Sequence, residues 1–316
     1  MKQDLRIVFM GTPDFAVATL KQLLEANYNI VGVITAPDKP AGRGRKLNES
    51  AVKIYAKDNG LNILQPTNLK AQSFLDDLQA LNAHLQVVVA FRMLPKVVWQ
   101  MPKYGTFNLH ASLLPNYRGA APINWAIING ETETGVSTFF IDEQIDTGAM
   151  ILQEKTDIDE NETAGSLHDK LMHLGSKLVL DTIILIENED VITSPQKEIV
   201  DIKTAYKLNR DNCKINWDDT IDNIYNKIRG LSPYPAAWSE LANDDVTTDV
   251  KIYEARKENI EHQKEIGRIL TTKKEIKVAV AEGFINITKI KLPGKKLMDA
   301  NALLNGYEFR EGAKMR

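Results

Sequence analysis

The sequence predicts an α/β protein in which a doubly wound, Rossmann-like N-terminal domain is followed by a smaller β-rich domain. The first half of the chain alternates strand-like and helix-like segments, the order expected of helices packed around a mostly parallel sheet. The segment Leu85–Phe91 is apolar except at Gln86, which is typical of a central strand covered on both faces. Toward the C-terminus, short strand-like runs recur roughly every ten residues between polar turns, which favours a small barrel.

Each element of the first part is predicted from its hydrophobic periodicity and its flanking turn residues. Asp14 stands where it could cap the first helix. The strand-like segments are Leu5–Met10, Tyr28–Thr35, Asn62–Leu64, Leu85–Phe91, Phe107–His110, Val136–Ile141 and Ala149–Lys155. The helix-like segments are Phe15–Ala26, Ala51–Asn59, Ser73–Leu81, Pro122–Asn129 and Leu167–Glu187.

The pattern loosens around Ser194–Tyr206, which indicates a domain boundary. We therefore predict one domain over residues 1–205, with a linker from about residue 190, and a second over residues 206–316. The strand-like runs of the second domain are Val250–Ala255, Gly267–Thr271, Ile276–Ala281 and Gly283–Ile290.

The composition is that of a globular protein. Of 316 residues, 43% are hydrophobic and 26% are charged, which excludes a disordered or fibrous chain. No apolar run approaches the ~18 residues of a membrane span, and the N-terminal apolar stretch is too short for a signal peptide. Cys213 is the single cysteine, so no internal disulfide and no cysteine-based zinc site is expected. We expect a cytoplasmic protein and a monomer.

The net charge differs between the two predicted domains. Residues 1–205 carry 19 Lys and Arg against 25 Asp and Glu, whereas residues 206–316 carry 20 against 17. A mildly basic second domain is compatible with an acidic partner, but an ordinary solvated surface explains this balance more simply.

The turn after the first strand does not have the pattern of a dinucleotide-binding site. It is Gly11-Thr-Pro-Asp-Phe-Ala16, with one glycine where Gly-x-Gly-x-x-Gly is required, so a dehydrogenase is excluded. A P-loop and a His-Glu-x-x-His pair are both missing from the sequence. His168 and His173 are five residues apart on a predicted helix, so they face different directions and are not expected to bind a metal.

The loop Asp38–Lys46 is strongly basic. It carries Lys39, Arg43, Arg45 and Lys46, and its glycines and proline predict an irregular conformation. Arginine forks suit phosphate oxygens and base edges. A flexible, solvated loop is the alternative interpretation, although its place at the ligand-binding edge of the sheet favours a function.

The segment Phe107–Pro122 contains the residues best suited to chemistry. In a strand, Asn108 and His110 project from the same face, where an amide donor and an imidazole can serve an oxyanion and a proton transfer. An aspartate that orients the histidine is either Asp142 or Asp146, and the spacing does not choose between them. Since no serine or cysteine lies in a nucleophile motif, we expect direct attack by a substrate group. The alternative is that Asn108 and His110 are polar residues at a strand end whose hydrogen bonds are satisfied within the protein.

Several long motifs in one order resemble the folate-dependent formyltransferases, and most closely the members that act on an aminoacyl-tRNA. The resemblance covers nearly the whole chain and rests on Val8–Phe15, Pro37–Lys46, Asn108-x-His110, Ser112–Gly119, Asp142–Gly148 and Ile228–Trp238. It implies transfer of a formyl group from 10-formyltetrahydrofolate to the α-amino group of methionine on initiator tRNA, without a covalent enzyme intermediate. The alternative member acts on glycinamide ribonucleotide or an amino sugar nucleotide.

The resemblance also assigns roles to residues. It implies Asn108, His110 and Asp146 as catalytic residues, and it thereby chooses Asp146. It implies folate contacts for two stretches, which are Ser112, Leu113, Leu114 and Pro115, and Phe91, Arg92, Met93 and Leu94. Arg92 replaces the small residue expected in the members that act on tRNA. No metal site is implied.

Two further parts are expected to contact tRNA. The resemblance implies that Lys39, Arg43, Arg45 and Lys46 reach the acceptor stem, and that the second domain is an oligonucleotide-binding (OB-like) barrel that follows the tRNA backbone. The basic residues of that barrel should then cluster on one face, with Lys207, Arg210, Lys273, Lys274, Lys289, Lys291, Lys295 and Lys296 as candidates. The basic loop and the barrel argue against the glycinamide ribonucleotide enzyme, the loop argues against the amino-sugar enzymes, and the catalytic trio argues against an inactive RNA-binding relative.

Overall fold

The computed structural model describes residues 5–41 and 46–316. Its elements up to the end of the long helix are β1 (Arg6–Gly11), α1 (Asp14–Glu25), β2 (Asn29–Ile34), β3 (Lys39–Ala41), β4 (Lys46–Asn48), α2 (Ala51–Asp58), β5 (Ile63–Leu64), α3 (Gln72–Ala80), β6 (Leu85–Val89), α4 (Lys96–Trp99), β7 (Thr106–His110), β8 (Arg118–Gly119), α5 (Pro122–Ile128), β9 (Glu133–Phe140), β10 (Met150–Asp157) and α6 (Ala164–Glu187). The later elements are β11 (Thr204–Ala205), α7 (Ile221–Gly230), β12 (Ala237–Asn243), β13 (Val246–Glu258), β14 (Ile269–Thr271), β15 (Ile276–Val280), β16 (Gly283–Lys291), β17 (Met298–Asp299), α8 (Ala300–Leu304) and β18 (Lys314–Met315).

The N-terminal sheet confirms the predicted α/β fold. Its seven strands lie in the order β10-β9-β7-β6-β1-β2-β5. Strands β5, β2, β1, β6 and β7 are parallel, and β9 runs antiparallel to β7. Every residue of β6 is buried, including Gln86, whose side-chain carbonyl accepts a hydrogen bond from Thr106 Oγ1 at 2.9 Å. This bond satisfies the side-chain oxygen of Gln86, whereas its buried Nε2 has no hydrogen-bond partner among the described residues.

The start of α1 differs from the prediction. Pro13 occupies the N-cap position, and no side chain caps the helix. Asp14 is the first helical residue, and its carboxylate accepts a hydrogen bond from the backbone N–H of Phe15 at 3.0 Å. Its negative charge therefore complements the amino-terminal end of the helix dipole rather than forming a cap.

The basic loop contains more regular structure than its glycines and proline predict. Strands β3 and β4 pair antiparallel, with Pro40 opposite Leu47. Proline is tolerated there because a two-stranded ribbon leaves the outer side of each strand without a ladder. Arg43, Arg45 and the side chain of Lys46 lie outside the described residues, whereas Lys39 is exposed.

The C-terminal sheet is an antiparallel barrel, as predicted. Its main order is β14-β15-β16-β13-β12-β18, and β17 pairs with β16. A bridge between Arg268 and Lys314 links the residue before β14 to β18, which closes the order on itself. The interior is aliphatic and includes Val250, Ile252, Ile276, Val278, Val280, Ile285, Ile287 and Ile290, all fully buried. Strand β12 was not predicted, because its sequence AWSELAN mixes polar and apolar residues without a strand period.

Two compact units are formed by the chain, and neither is continuous in sequence. One contains Met1–Gly119, Thr134–Thr156 and His168–Lys203, and the other contains Ala120–Glu133, Asp157–Leu167 and Thr204–Arg316. A functional boundary at residue 205 stays a prediction.

The early segments of the second unit are held by α7. Its buried Arg229 donates to the backbone carbonyl of Glu162 at 2.9 Å, and Tyr225 donates to Asn161 at 2.6 Å. Asn124 donates to the carbonyl of Gly230 at 2.8 Å, so α5 is fixed to the end of the same helix.

No helix among residues 5–41 and 46–316 combines the length and the apolar character that crossing a membrane demands.

Candidate active site

Asn108 and His110 lie at the carboxyl end of β7, on the same face of the strand. Their register is fixed on both sides, since Asn108 is opposite Val88 of β6 and Phe139 of β9. His110 is buried, with 7% of its surface exposed, whereas Asn108 is half-buried. In the part of the chain that the structure describes, the side-chain amide of Asn108 forms no hydrogen bond. This amide is therefore available as a donor to a bound molecule.

The ring of His110 is held between a backbone carbonyl and a carboxylate. Its Nε2 lies 2.8 Å from the carbonyl oxygen of Tyr117. Because a carbonyl oxygen can only accept, Nε2 is the ring nitrogen that carries hydrogen in this contact. The other nitrogen, Nδ1, lies 3.8 Å from Oδ2 of Asp146, which is an electrostatic contact rather than a hydrogen bond. Nδ1 is thus the atom at which His110 can gain a proton beside a negative charge.

Asp146, and not Asp142, is the aspartate beside His110. Oδ2 of Asp146 also accepts the backbone N–H of Gly119 at 2.9 Å. Asp142 is engaged within its own turn, where it accepts Thr147 Oγ1 at 2.7 Å and the backbone N–H of Gln144 at 3.0 Å. The two aspartates that spacing leaves open are therefore separated by their contacts.

The turn that presents Asp146 is constrained by backbone geometry. Asp146 has a φ of 55°, in the left-handed region that non-glycine residues rarely adopt. Two residues later, a Cβ on Gly148 would lie 1.7 Å from the carbonyl oxygen of Phe140. Only glycine allows the loop to return so close to β9, which explains the glycine that ends this motif.

Gln196 holds this turn from a segment in which sequence patterns are weak. Its Nε2 donates to the carbonyl oxygens of Asp146 at 2.8 Å and Gly148 at 3.0 Å. Its Oε1 accepts Arg118 Nη2 at 2.6 Å. These bonds fix the backbone on which the Asp146 carboxylate stands. Sequence reasoning missed Gln196, and no local signal could find it, because its partners are 48 to 78 residues away in sequence.

The same segment also holds the other partner of His110. The backbone N–H of Tyr117 donates to the carbonyl of Lys203 at 2.5 Å. The backbone N–H of Lys203 in turn donates to Oδ1 of Asn116 at 3.2 Å. Residues 196–203 therefore position both the Tyr117 carbonyl and the Asp146 carboxylate against the histidine ring.

The predicted folate stretch Ser112–Pro115 forms a tightly bonded turn directly after β7. Ser112 Oγ donates to the carbonyl of Asn116 at 2.7 Å. Ser137 donates to the carbonyl of Ser112 at 2.6 Å, and Gln153 donates to that of Leu114 at 2.9 Å. The side chains of Ser112 and Leu114 are buried, whereas Leu113 and Pro115 are partly exposed. Ser137 and Gln153 are supporting residues that sequence reasoning did not identify.

The other predicted folate stretch lines an open cleft of about 760 Å³. Arg92, Met93 and Leu94 line it, whereas Phe91 and the stretch Ser112–Pro115 do not. The remaining lining residues are Thr67, Asn68, Leu69, Lys70, Pro95, Lys96, Val97, Trp99 and Glu143. The structure therefore brings together three of the eight predicted folate residues in this cleft.

Three of the four charged residues that line this cleft, all except Lys70, are already engaged. Arg92 donates to the carbonyl oxygens of Pro66 and Thr67. Lys96 and Glu143 form an ion pair at 2.5 Å, and the hydrogen bond from Lys96 lowers the pKa of Glu143 below its ordinary value. Met93 is 66% exposed and presents an apolar surface at the mouth. A cleft of this volume, lined by both apolar and charged side chains, is typical of a site for a small organic ligand.

The base of the basic loop is held by Lys53 of α2. Its ammonium contacts both Asp38, just before β3, and Glu49, just after β4, the latter at 2.9 Å. Hydrogen bonds from Lys53 lower the pKa of both carboxyls, and hydrogen bonds to them raise the pKa of Lys53. One side chain therefore ties the two ends of the loop together.

Among the residues that the structure describes, no group of three His, Cys, Asp or Glu could hold a metal ion.

Comparison with known proteins gives matches over both parts of the chain. The family model described as formyl transferase matches residues 5–183, and that described as formyl transferase, C-terminal domain, matches residues 207–308. A methionyl-tRNA formyltransferase of Flavobacterium johnsoniae is 61% identical over 99% of both chains. That of Bacteroides thetaiotaomicron is 52% identical, again over 99% of both chains.

A solved structure shows the same fold at low identity. The N-formyltransferase of Helicobacter canadensis, in complex with folinic acid and dTDP-3-aminofucose, superposes with a TM-score of 0.64 at 23% identity. The match covers 90% of this chain and 98% of that one.

The clamp at Gln196 predicts the effect of a substitution. Gln196→Met keeps the side-chain length but removes its hydrogen bonds, so the Asp146 turn should loosen. We expect turnover at the site to fall about tenfold or more while substrate KM changes little, since each lost hydrogen bond costs roughly 1 kcal/mol. Steady-state kinetics and melting temperature measure both effects.

Gln72→Met is the matched control, because Gln72 bonds only the exposed Asp76 on α3. If Gln196→Met lowers the melting temperature but leaves kcat and its pH profile unchanged, Gln196 is structural and does not position Asp146.

Proposed function

The chain belongs to the formyl transferase family, and from this premise we propose that it transfers a formyl group from 10-formyltetrahydrofolate to the α-amino group of methionine on initiator tRNA. The observation that carries the proposal is the unpaired Asn108 amide next to the His110–Asp146 pair, in a chain whose near-full-length relatives are methionyl-tRNA formyltransferases. The protein would meet this substrate in the cytoplasm. A single chain carries every residue to which a role is assigned below.

Asn108 would stabilise the oxygen of the formyl group as the reaction proceeds. The neutral amine of methionine attacks the formyl carbon, and the carbonyl oxygen gains negative charge. A fixed amide donor aimed at such an oxygen contributes ~3 kcal/mol to the transition state. Because β6 and β9 flank β7 on both sides, the Asn108 backbone needs no rearrangement to present this donor.

His110 and Asp146 would receive the proton that the attacking amine loses. Nε2 of His110 is occupied by the Tyr117 carbonyl, so Nδ1 is the ring atom that can accept it. The carboxylate of Asp146, 3.8 Å away, stabilises the resulting imidazolium. As the oxyanion collapses, the bond between the formyl carbon and N10 of the folate breaks and N10 takes up this proton from His110. Tetrahydrofolate is thereby released, and no covalent enzyme intermediate is formed.

The folate donor would be held by the two stretches named from the sequence. The cleft beside Arg92–Leu94 has the volume of a site for a molecule of this size. The rigid turn at Ser112–Pro115 lies directly after His110 in the chain, so it can hold the formyl end of the donor near β7. The family's use of a folate-derived formyl donor supports this assignment.

The tRNA would be recognised by the basic loop and by the barrel. Lys39, Arg43, Arg45 and Lys46 bring four positive charges to one short loop, which suits the phosphates of an acceptor stem. Lys53 fixes the ends of that loop from α2. The antiparallel barrel provides a second surface for the nucleic-acid backbone.

A direct assay tests the proposal. The purified protein is mixed with 10-formyltetrahydrofolate and methionyl-initiator tRNA, and formylmethionine is sought on the tRNA. Glycinamide ribonucleotide and an amino sugar nucleotide are supplied in parallel reactions. Formylation of the tRNA alone supports the proposal, and formylation of a small molecule in its place overturns it.

Replacing His110 should abolish most of the activity. We expect His110→Ala to lower kcat by roughly two to four orders of magnitude, because the proton acceptor is lost. Circular dichroism should show an intact fold. His173→Ala is the control, since His173 is exposed and bonds only a backbone carbonyl. Unchanged turnover in His110→Ala would remove this residue from the mechanism.

Replacing Asn108 should affect the chemical step and not the binding of folate. Loss of one oxyanion donor typically lowers kcat by about 10²–10³, and we expect that range for Asn108→Ala. Single-turnover rates and the Kd for a folate analogue separate the two effects. Weaker folate binding with a normal single-turnover rate would contradict the assigned role.

Substitutions that alter the basic loop should impair catalysis with methionyl-tRNA and leave the binding of folate unaffected. Arg43→Ala and Lys53→Met are each expected to raise KM for methionyl-tRNA several-fold and to leave folate binding unchanged. Lys21→Met is the control, because Lys21 pairs only with the exposed Glu25. An equal loss of folate binding in the two loop variants would place the loop at the folate site instead.

A further inference from the structure

The outer face of the barrel carries a pocket of about 500 Å³ that the catalytic site does not use. Residues of β12, β13 and β16 line it, together with residues from the segments before β12 and after β16. The charged residues that line it are Arg210, Asp249, Lys251 and Lys291. The apolar residues include Trp238, Leu208 and Pro235.

Three of these side chains form one row across the sheet. Trp238 of β12 is directly opposite Lys251 of β13, and Lys251 is directly opposite Lys291 of β16. Residues directly opposite each other in antiparallel strands point to the same face, with Cβ atoms about 5 Å apart. An indole and two ammonium groups therefore line one side of this pocket.

The two lysines carry positive charge that the fold does not neutralise. Lys251 donates one hydrogen bond to the carbonyl of Pro235 at 2.9 Å, but no carboxylate among the described residues pairs with it. The ammonium of Lys291, which is exposed, forms neither a hydrogen bond nor an ion pair with any described residue. Like charges directly opposite each other destabilise a sheet, so this pair works against the stability of the barrel.

In the neighbouring row of the sheet, an acidic pair is neutralised by cations. Glu240 and Asp249 are also directly opposite each other on β12 and β13. Each is neutralised from the same covering segment, Glu240 by Lys214 at 2.9 Å and Asp249 by Arg210 at 2.6 Å. The acidic pair therefore has counter-ions, whereas the basic pair, Lys251 and Lys291, has none among the described residues.

The aromatic wall of the pocket is rigid. Trp238 Nε1 donates to the carbonyl of Arg210 at 2.7 Å, and the guanidinium of Arg210 lies 3.9 Å from the centre of the indole ring. These contacts fix both the indole and the segment that covers it. The two lysines therefore stand beside a wall that does not have to be ordered on binding.

From these contacts we propose that Lys251 and Lys291 bind the phosphates of an RNA backbone. Two uncompensated ammonium groups, on side chains whose Cβ atoms are about 5 Å apart, can reach the oxygens of one phosphate or of two successive ones. The inference rests on the proposed function, because that function supplies an RNA as the substrate. It identifies where on the barrel the backbone of the tRNA lies.

The pocket differs from the cluster that the sequence predicts. Of the eight basic residues named from the sequence, Arg210 and Lys291 line it. Lys289 is paired with Glu254 at 2.7 Å, and Arg210 is already paired with Asp249. Lys251 was not among the candidates, because its partner Lys291 is forty residues away in sequence and only the register brings them together.

The test compares two double variants with the same change in net charge. Lys251→Gln/Lys291→Gln removes the open pair, and Lys277→Gln/Lys314→Gln removes two lysines that are paired with Glu258 and Glu265. The Kd for deacylated initiator tRNA is measured on the full chain between 50 and 200 mM salt. We expect the first variant to bind about tenfold more weakly at ~0.1 M salt, with a salt slope reduced by about two.

The control should bind nearly as the unaltered protein does. Equal losses in the two double variants would mean that only net charge matters, and an unchanged Kd in the first would remove the site; either result overturns the inference. Displacement of tRNA by polyglutamate as readily as by polyuridylate would also overturn it in favour of an acidic protein partner.

The two proposals can fail separately. If the unaltered protein formylates the tRNA but Lys251→Gln/Lys291→Gln binds it normally, only this inference fails. If the unaltered protein binds tRNA through these lysines and formylates nothing on it, the phosphate site stands and the proposed function fails. Melting temperatures complete the test, because Lys291→Gln should be as stable as the unaltered chain or more so.

Discussion

The placement of one imidazole between a carbonyl and a carboxylate is the constraint on which the catalytic account depends. His110 is fixed by its strand, but both of its partners come from loops with left-handed residues, Tyr117 and Asp146. Such conformations persist only where the surroundings impose them. Here residues 196–203 impose them, through the side chain of Gln196 and the backbone of Lys203. The surroundings of His110 are thus maintained by a segment with almost no regular secondary structure.

The barrel also has an unfavourable local feature at a proposed binding site, namely two like charges that lie opposite each other. A sheet that leaves two opposed lysines without a counter-ion loses stability, while the acidic pair beside it has two cations. In both units, then, an unfavourable local feature lies where a substrate is proposed to bind, which is where physical reasoning expects it.

Patterns local in sequence predicted the fold and part of the site. The apolar strand at Leu85–Phe91, the alternation of elements and the two-residue spacing of Asn108 and His110 all follow from periodicities of two or 3.6 residues. Features that depend on distant partners could not be found in this way. Gln196 lies in a segment without periodicity, and Lys251 becomes notable only when the register places it opposite Lys291. The choice between Asp142 and Asp146 also needs the turn itself, because either spacing is compatible with a contact to His110.

The role of the charge beside His110 is tested most directly by comparing the two aspartates of one loop. Asn tolerates the left-handed backbone of position 146 and can still accept the N–H of Gly119, so Asp146→Asn removes little but the charge beside His110. Asp142→Asn makes the same chemical change where the carboxylate serves only the turn. We expect Asp146→Asn to lower the rate of methionyl-tRNA formylation by orders of magnitude, whereas Asp142→Asn retains most of it. Equal rates in the two variants, or a greater loss in Asp142→Asn, would contradict the proposed role of Asp146.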